Sequence, residues 1–80
     1  MSAVPVRLPK LAMTTEEATP TEWLVPDGGT VAEGDLLYRL ETEKVENDIE
    51  SPATGTVRWT ATVGETYPVG TQIGQIIIDA

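Results

Sequence analysis

One lysine stands among five carboxylates in the run Glu41-Thr42-Glu43-Lys44-Val45-Glu46-Asn47-Asp48-Ile49-Glu50. The only other lysine in the chain is Lys10. An isolated primary amine between two strand-like segments suits covalent acylation, a modification that removes its positive charge. Nothing around it suits nucleophilic or metal chemistry. The chain has no Cys and no His, so thiolate and imidazole metal sites, disulfides and triads built on either residue are excluded. The remaining carboxylates fall at alternating positions without a partner base, and an enzyme is the least favoured reading. No metal site is expected.

The elements that must hold Lys44 are short. Turn signals recur at Pro20, Pro26-Asp27-Gly28-Gly29, Gly34-Asp35, Ser51-Pro52, Gly55, Gly64, Pro68, Gly70 and Gly74. Between them lie apolar runs at Val4–Leu8, Glu22–Val25, Leu36–Leu40, Val45–Ile49, Val57–Val63 and Ile73–Ile78, rich in the branched side chains that suit a pleated surface. No segment sustains a helical period. Thr14-Thr15-Glu16-Glu17 has capping-box spacing, but Pro20 follows closely, so residues 12–20 read as a surface loop.

An internal repeat runs at an offset of 36 residues. It pairs Trp23 with Trp59, Gly28 with Gly64, Thr30 with Thr66, Gly34 with Gly70, Leu37 with Ile73 and Leu40 with Ile76. Two similar halves that share one core make an all-β fold, a flattened β-barrel or sandwich of two quasi-symmetric antiparallel sheets. The offset places a counterpart of Lys44 at the opposite end, near Leu8-Pro9, where the chain termini are also expected. Packing is the expected role of both tryptophans.

Leu36–Thr42 and Val45–Glu50 pair as an antiparallel hairpin with Glu43-Lys44 as a two-residue connection. Val45, Asn47 and Ile49 then share one face, and Glu46, Asp48 and Glu50 the other. On position and charge alone, the favoured reading of Lys44 is a solvated edge lysine that discourages strand pairing.

Eighty residues make one small domain, 1–80, with a net stability of roughly 4–12 kcal/mol. Thirteen acidic residues against five basic ones give a net charge of −8, which disfavours nucleic acid and anionic membrane surfaces as partners. It favours a partner with a basic docking patch. No apolar run reaches transmembrane length.

The chain resembles the lipoyl domain of the dihydrolipoamide acyltransferase component of 2-oxo acid dehydrogenase complexes, within the biotinyl/lipoyl attachment family. The residues that carry the resemblance are Leu8-Pro9-Lys10-Leu11-Ala12-Met13, Glu22-Trp23-Leu24-Val25, Gly28 through Asp35, Glu41-Thr42-Glu43-Lys44, Ser51-Pro52-Ala53-Thr54-Gly55 and Gly64 through Gly70. The resemblance implies that Lys44 carries covalent lipoate. The domain would then be a non-catalytic swinging arm, moving acyl groups and reducing equivalents between active sites. Implied partners are a lipoate-attaching enzyme, a thiamin-diphosphate 2-oxo acid dehydrogenase (E1), the acyltransferase core (E2) and dihydrolipoamide dehydrogenase (E3).

Recognition around Lys44 is expected from Glu41, Glu43, Val45 and Glu46. The loop Met13, Thr14, Thr15, Glu16 and Glu17 resembles the family's partner-recognition loop. Glu43 and Val45 stand where biotin carriers usually place methionines, so lipoate is favoured over biotin. The alternatives are a biotin carrier domain and an unmodified β-barrel interaction module. The isolated domain is expected to be a monomer, cytoplasmic, or in the mitochondrial matrix if eukaryotic. Compared with the family pattern, Glu43 replaces Asp, Gly29 replaces a frequent Asp whose side chain would add a turn hydrogen bond, and Asn47 replaces a small apolar residue.

Overall fold

The computed structural model describes residues 2–10, 16–42 and 45–78, all of them strand, turn or irregular. Eight strands follow in order: β1 (Ser2–Arg7), β2 (Glu17–Trp23), β3 (Thr30–Val31), β4 (Leu36–Thr42), β5 (Val45–Glu50), β6 (Gly55–Trp59), β7 (Tyr67–Pro68) and β8 (Gln72–Ile78). They form two antiparallel four-stranded sheets, ordered β1-β8-β6-β3 and β5-β4-β2-β7. The inward positions of both sheets meet in one core containing Val6, Leu8, Val31, Leu37, Leu40, Val57, Ile73 and Ile76.

The 36-residue repeat is the symmetry of this fold. β4 maps onto β8 residue for residue, β2 onto β6, and β3 onto β7. The paired turns have paired backbones: Gly28 and Gly64 sit at φ 84° and 87°, Gly34 and Gly70 at 91° and 88°. These are left-handed conformations that glycine adopts without the steric cost of a Cβ.

The remaining pair, β1 and β5, does not follow the offset. Ser51 donates its N–H to Asp35 (2.8 Å) and accepts from Gly34 (3.0 Å), while Leu8 donates to Thr71 (3.0 Å) and accepts from Gly70 (2.9 Å). Leu8 is therefore the counterpart of Ser51, and the expected match between Lys44 and Leu8-Pro9 is wrong. The strand equivalent to β5 comes from the start of the chain instead of following β8. Ser2 pairs with Ile78 as Val45 pairs with Thr42, so these two residues meet where the other half has its hairpin connection.

Leu8 in fact lies toward the hairpin end of the barrel. β7 pairs with the first residues of β2, Glu17 with Pro68, and two residues along β2 Thr19 faces Glu41. β8 begins just after β7 and runs away from that end. Ser2 and Ile78, the outermost described residues, thus lie opposite the Thr42↔Val45 end, as expected of the chain's ends, and Leu8 does not lie with them.

Two strand boundaries differ from the sequence reading. Residues 17–20 belong to β2 and not to a loop. Pro20 is buried there beside a register shift between Pro20 and Glu22, where a missing ladder N–H is tolerated. Its carbonyl accepts from Gly64 N–H at 2.7 Å. The strand in the Val57–Val63 run stops at Trp59. Gly29 leaves the turn well bonded, donating to Pro26 O (2.8 Å) and accepting from Val57 (2.9 Å). A Cβ at this position would lie 2.9 Å from Pro26 O, so the glycine fits the turn where a larger residue crowds it.

Candidate functional site

The β4–β5 ladder runs Leu36↔Glu50, Tyr38↔Ile49, Arg39↔Asp48, Leu40↔Asn47, Glu41↔Glu46 and Thr42↔Val45. Glu43 and Lys44 join its ends and lie outside the described residues. What the structure gives is their frame. Thr42 is packed, with 7% of its surface exposed, while Val45 is 56% exposed. One end of the connection is anchored to the core side, and the other displays an apolar side chain to solvent.

The outer face of this hairpin is acidic. Glu41 and Glu46 are exposed and directly opposite, a like-charge pair that disfavours the ladder locally. One row away, Arg39 stands between Glu22 on β2 and Asp48 on β5. Its Nε donates to Asp48 Oδ1 at 2.9 Å, and Glu46 and Glu22 follow at 3.8 Å each. The hydrogen bond to Asp48, then its charge, raises the Arg39 pKa further, so the guanidinium is always charged. Arg39 was not singled out in the sequence. It becomes legible once the hairpin register is fixed, because Thr42↔Val45 puts Arg39 opposite Asp48.

By contrast, the outer face of the other sheet presents Ala3, Pro5, Arg7, Gln75, Ile77, Thr56, Arg58 and Thr30, with no carboxylate among them. The carboxylates borne by strands, Glu17, Glu22, Glu41, Glu46, Asp48 and Glu50, thus all lie in the sheet that carries the hairpin.

Of the expected recognition loop, Met13, Thr14 and Thr15 lie outside the described residues. Glu16 is exposed, and its carbonyl accepts from Val69 N–H at 2.9 Å. Glu17 opens β2 and is exposed. Both lie at the hairpin end of the barrel, the same end as Glu41 and Glu46, though Glu17 is strand and not loop. Trp23 and Trp59 pack against each other, and Trp59 Nε1 donates to Val25 O at 2.8 Å. They are structural, as their place in the repeat suggested. Among the described residues no cluster of His, Cys, Asp and Glu is arranged to hold a metal ion.

Comparison with known proteins agrees with this architecture. Over residues 4–76 the chain matches the biotin/lipoyl family model, described as "Biotin-requiring enzyme". It is 33% identical over 72 residues to the dihydrolipoyllysine-residue acetyltransferase component of the acetoin cleaving system of Cupriavidus necator, covering 89% of this chain and 19% of that protein. It is 35% identical over 74 residues to the dihydrolipoyllysine-residue succinyltransferase component of the 2-oxoglutarate dehydrogenase complex of Rickettsia conorii (91% and 19%). A third relative, 37% identical over 76 residues, is the dihydrolipoyllysine-residue acetyltransferase component of the pyruvate dehydrogenase complex of Corynebacterium glutamicum (94% and 11%). The chain spans a fifth or less of the length of these relatives. With two quasi-symmetric sheets and a match over nearly its whole length, this chain belongs to the biotin/lipoyl attachment domain family.

Proposed function

We propose that this chain is a swinging-arm carrier with lipoate in amide linkage to Lys44, passing acyl groups and reducing equivalents among the active sites of a 2-oxo acid dehydrogenase complex. One observation carries the reading. The β4–β5 ladder closes at Thr42↔Val45, so the two residues left to join the strands are Glu43 and Lys44. A lysine so placed is addressed by a modifying enzyme through the strands that hold it.

The frame fits such a group. Val45, Glu41 and Glu46, described residues on either side of the connection, are exposed. When bound, lipoate supplies a ring disulfide that accepts an acyl group together with two electrons. The protein supplies display, orientation and docking, while tethering raises the effective concentration at each partner site. Glu41, Glu43, Val45 and Glu46, together with the segment from Met13 to Glu17, give the surface by which partners read this carrier. Partners are the lipoate-attaching enzyme, the E1 dehydrogenase, the E2 acyltransferase core and the E3 flavoenzyme. Lipoate is favoured over biotin by the absence of methionines beside Lys44, and by relatives whose names specify dihydrolipoyllysine.

Intact mass after co-expression with a lipoate-attaching enzyme tests the reading. One lipoyl increment is expected, lost in Lys44→Arg. An increment that persists in Lys44→Arg assigns the modification to Lys10. A protein left unmodified while a known carrier in the same cells is lipoylated overturns the proposal, and a biotin increment replaces it with a biotin carrier.

A further inference from the structure

Strand β5 is outermost in its sheet and, among the described residues, pairs only with β4. The ladder closes at Thr42↔Val45 with two residues left to join the strands, so this pair exchanges both backbone hydrogen bonds. The pattern then alternates. Val45 and Asn47 bond inward to β4, while Glu46 and Asp48 turn their N–H and C=O groups away from the sheet. No turn, loop or cap hydrogen bond among the described residues takes these groups up. The other sheet ends in β1, which is guarded: Pro5 sits mid-strand, and a proline on an edge interrupts the row of donors on its solvent side. β5, Val-Glu-Asn-Asp-Ile-Glu, has neither proline nor lysine.

The two faces of β5 specify what strand it takes. On the outer face, Glu22, Glu41, Glu46 and Asp48 surround a single described cation, Arg39, which leaves an excess of negative charge. On the inner face Val45 is 56% exposed, and Asn47 and Ile49 are half-buried, so the apolar row is unfinished. A strand laid beside β5 sets alternate side chains against these two rows. Basic residues suit Glu46 and Asp48, and apolar residues suit Val45 and Ile49. A second copy of this chain does not qualify. β5 against β5 would set Glu46 and Asp48 beside carboxylates of the same kind, which is destabilising. The acidic row thus blocks self-pairing and leaves the edge open to a strand of opposite charge.

We propose that β5 is a docking edge for an extended segment of a partner protein in which basic and apolar residues alternate. The segment adds antiparallel to β5 as a fifth strand of the sheet. Its basic residues lie opposite Glu46 and Asp48 and exchange backbone hydrogen bonds with them, and its apolar residues cover Val45 and Ile49. The main chain supplies affinity and the alternation supplies specificity. The docking rests on the strand edge and does not depend on lipoylation.

The probe is the peptide Thr-Lys-Val-Arg-Val-Lys-Thr, titrated into the unmodified chain and followed by NMR, so the outcome is independent of the carrier reading. Amides of Glu46 and Asp48 should shift and gain protection from exchange, while those of Ala3 and Arg7 on β1 should not. In antiparallel pairing the amides of the basic residues face β5. N-methylating the Lys and Arg amides of the peptide should therefore abolish binding, and N-methylating its Val amides should preserve it. Glu46→Gln should weaken binding roughly 2- to 5-fold, the range of an exposed ion pair, and the difference should vanish in 1 M salt. Glu46→Pro also removes an outward N–H and should weaken it a further 3- to 10-fold or so, the range of one neutral hydrogen bond. Should that variant fail to fold, the two methylated peptides still decide. Absence of shifts at Glu46 and Asp48 overturns the proposal. So does equal binding of the two methylated peptides, or undiminished binding of a peptide with the same residues and its three cations contiguous, since either outcome means adhesion by charge without an added strand.

Discussion

The indole rings of Trp23 and Trp59 stack with centroids 3.9 Å apart and planes within 7° of parallel. The two residues are one repeat apart, so the stack joins equivalent strands of the two sheets across the quasi-two-fold relation. Tyr38 meets both rings edge-on, at 6.1 and 5.8 Å. Such contacts contribute about 0.5–1.5 kcal/mol each beyond area burial. Trp59→Phe keeps a ring but leaves the Val25 carbonyl without its indole donor. It should destabilise the fold by about 1–3 kcal/mol in a denaturant titration. A change within experimental error would show that the stack contributes little.

The aromatic cluster exists because the symmetry is broken at one pair of positions. Tyr38 on β4 corresponds to Gly74 on β8. Both follow a register shift, and a Cβ at Gly74 would lie 2.6 Å from Arg58 O and 2.8 Å from Trp59 Cε3. One half supplies the ring and the other the space. Gly74→Ala should therefore cost about 1–3 kcal/mol by overpacking. Each kcal/mol lowers the Tm of a domain this size by roughly 4–8 °C. Gly34→Ala meets nothing within 4 Å and pays only for its φ of 91°. Thermal melts of the two variants separate steric from conformational cost.

Burial pushes the Tyr38 pKa up from 10.0 to about 12. The raised value means that the folded state holds its proton where the unfolded chain has lost it. The stabilising contribution is complete below pH 10 and is lost as pH rises through about 12, on the order of 3 kcal/mol in all. Tyr38→Phe should remove that slope between pH 10 and 12. At neutral pH the same variant should gain about 1 kcal/mol, because it deletes a buried hydroxyl that has no hydrogen-bond partner among the described residues. Denaturant midpoints at pH 7 and pH 11 check both statements, and a loss of stability at pH 7 contradicts the second.

Much of this was legible in the sequence because the repeat is written in residues with narrow physical roles. Glycines at positive φ and tryptophans that must pack leave few alternatives, so the offset yields two sheets and their turns. The β4–β5 register followed from alternation around Lys44. Four things were hidden. β3 and β7 have two residues each and make no periodic pattern. Pro20 reads as a terminator until the adjacent register shift is known. The exchange of β1 for a strand after β8 is a matter of connectivity, which a constant offset cannot express, and it misplaced the counterpart of Lys44. Tyr38 looked like any core aromatic, since an unpartnered hydroxyl is a property of three-dimensional neighbours.

Arg39 holds the hairpin to the sheet by contacts that water reaches. Ion pairs of this exposure contribute little individually, so Arg39→Gln should leave the domain folded with a small drop in Tm. The drop should shrink in 1 M salt, where the screening length falls to about 3 Å. A difference that persists undiminished at high salt would assign the loss to packing of the arginine stem against β4 and β5 rather than to charge.

The connection itself offers the sharpest test of what a modifying enzyme reads. Leu40 and Thr42 are buried on the inner side of β4, and Ile49 packs against the core from β5, so the two strands are pinned by their side chains and not by the connection. One glycine inserted between Thr42 and Glu43 should lengthen the loop without moving the strands, at a loop-closure cost of a few tenths of a kcal/mol. The motif Glu43-Lys44-Val45 survives, but the lysine is re-aimed. If recognition is geometric, the rate of lipoylation should fall by roughly 10- to 100-fold, as misplacing a reacting group by about 1 Å commonly does. Time courses of intact mass on the inserted and parent proteins, with matched melting curves, give the answer. Equal rates would mean that the enzyme reads local sequence alone, and the rigid β4–β5 frame would then serve a later partner instead.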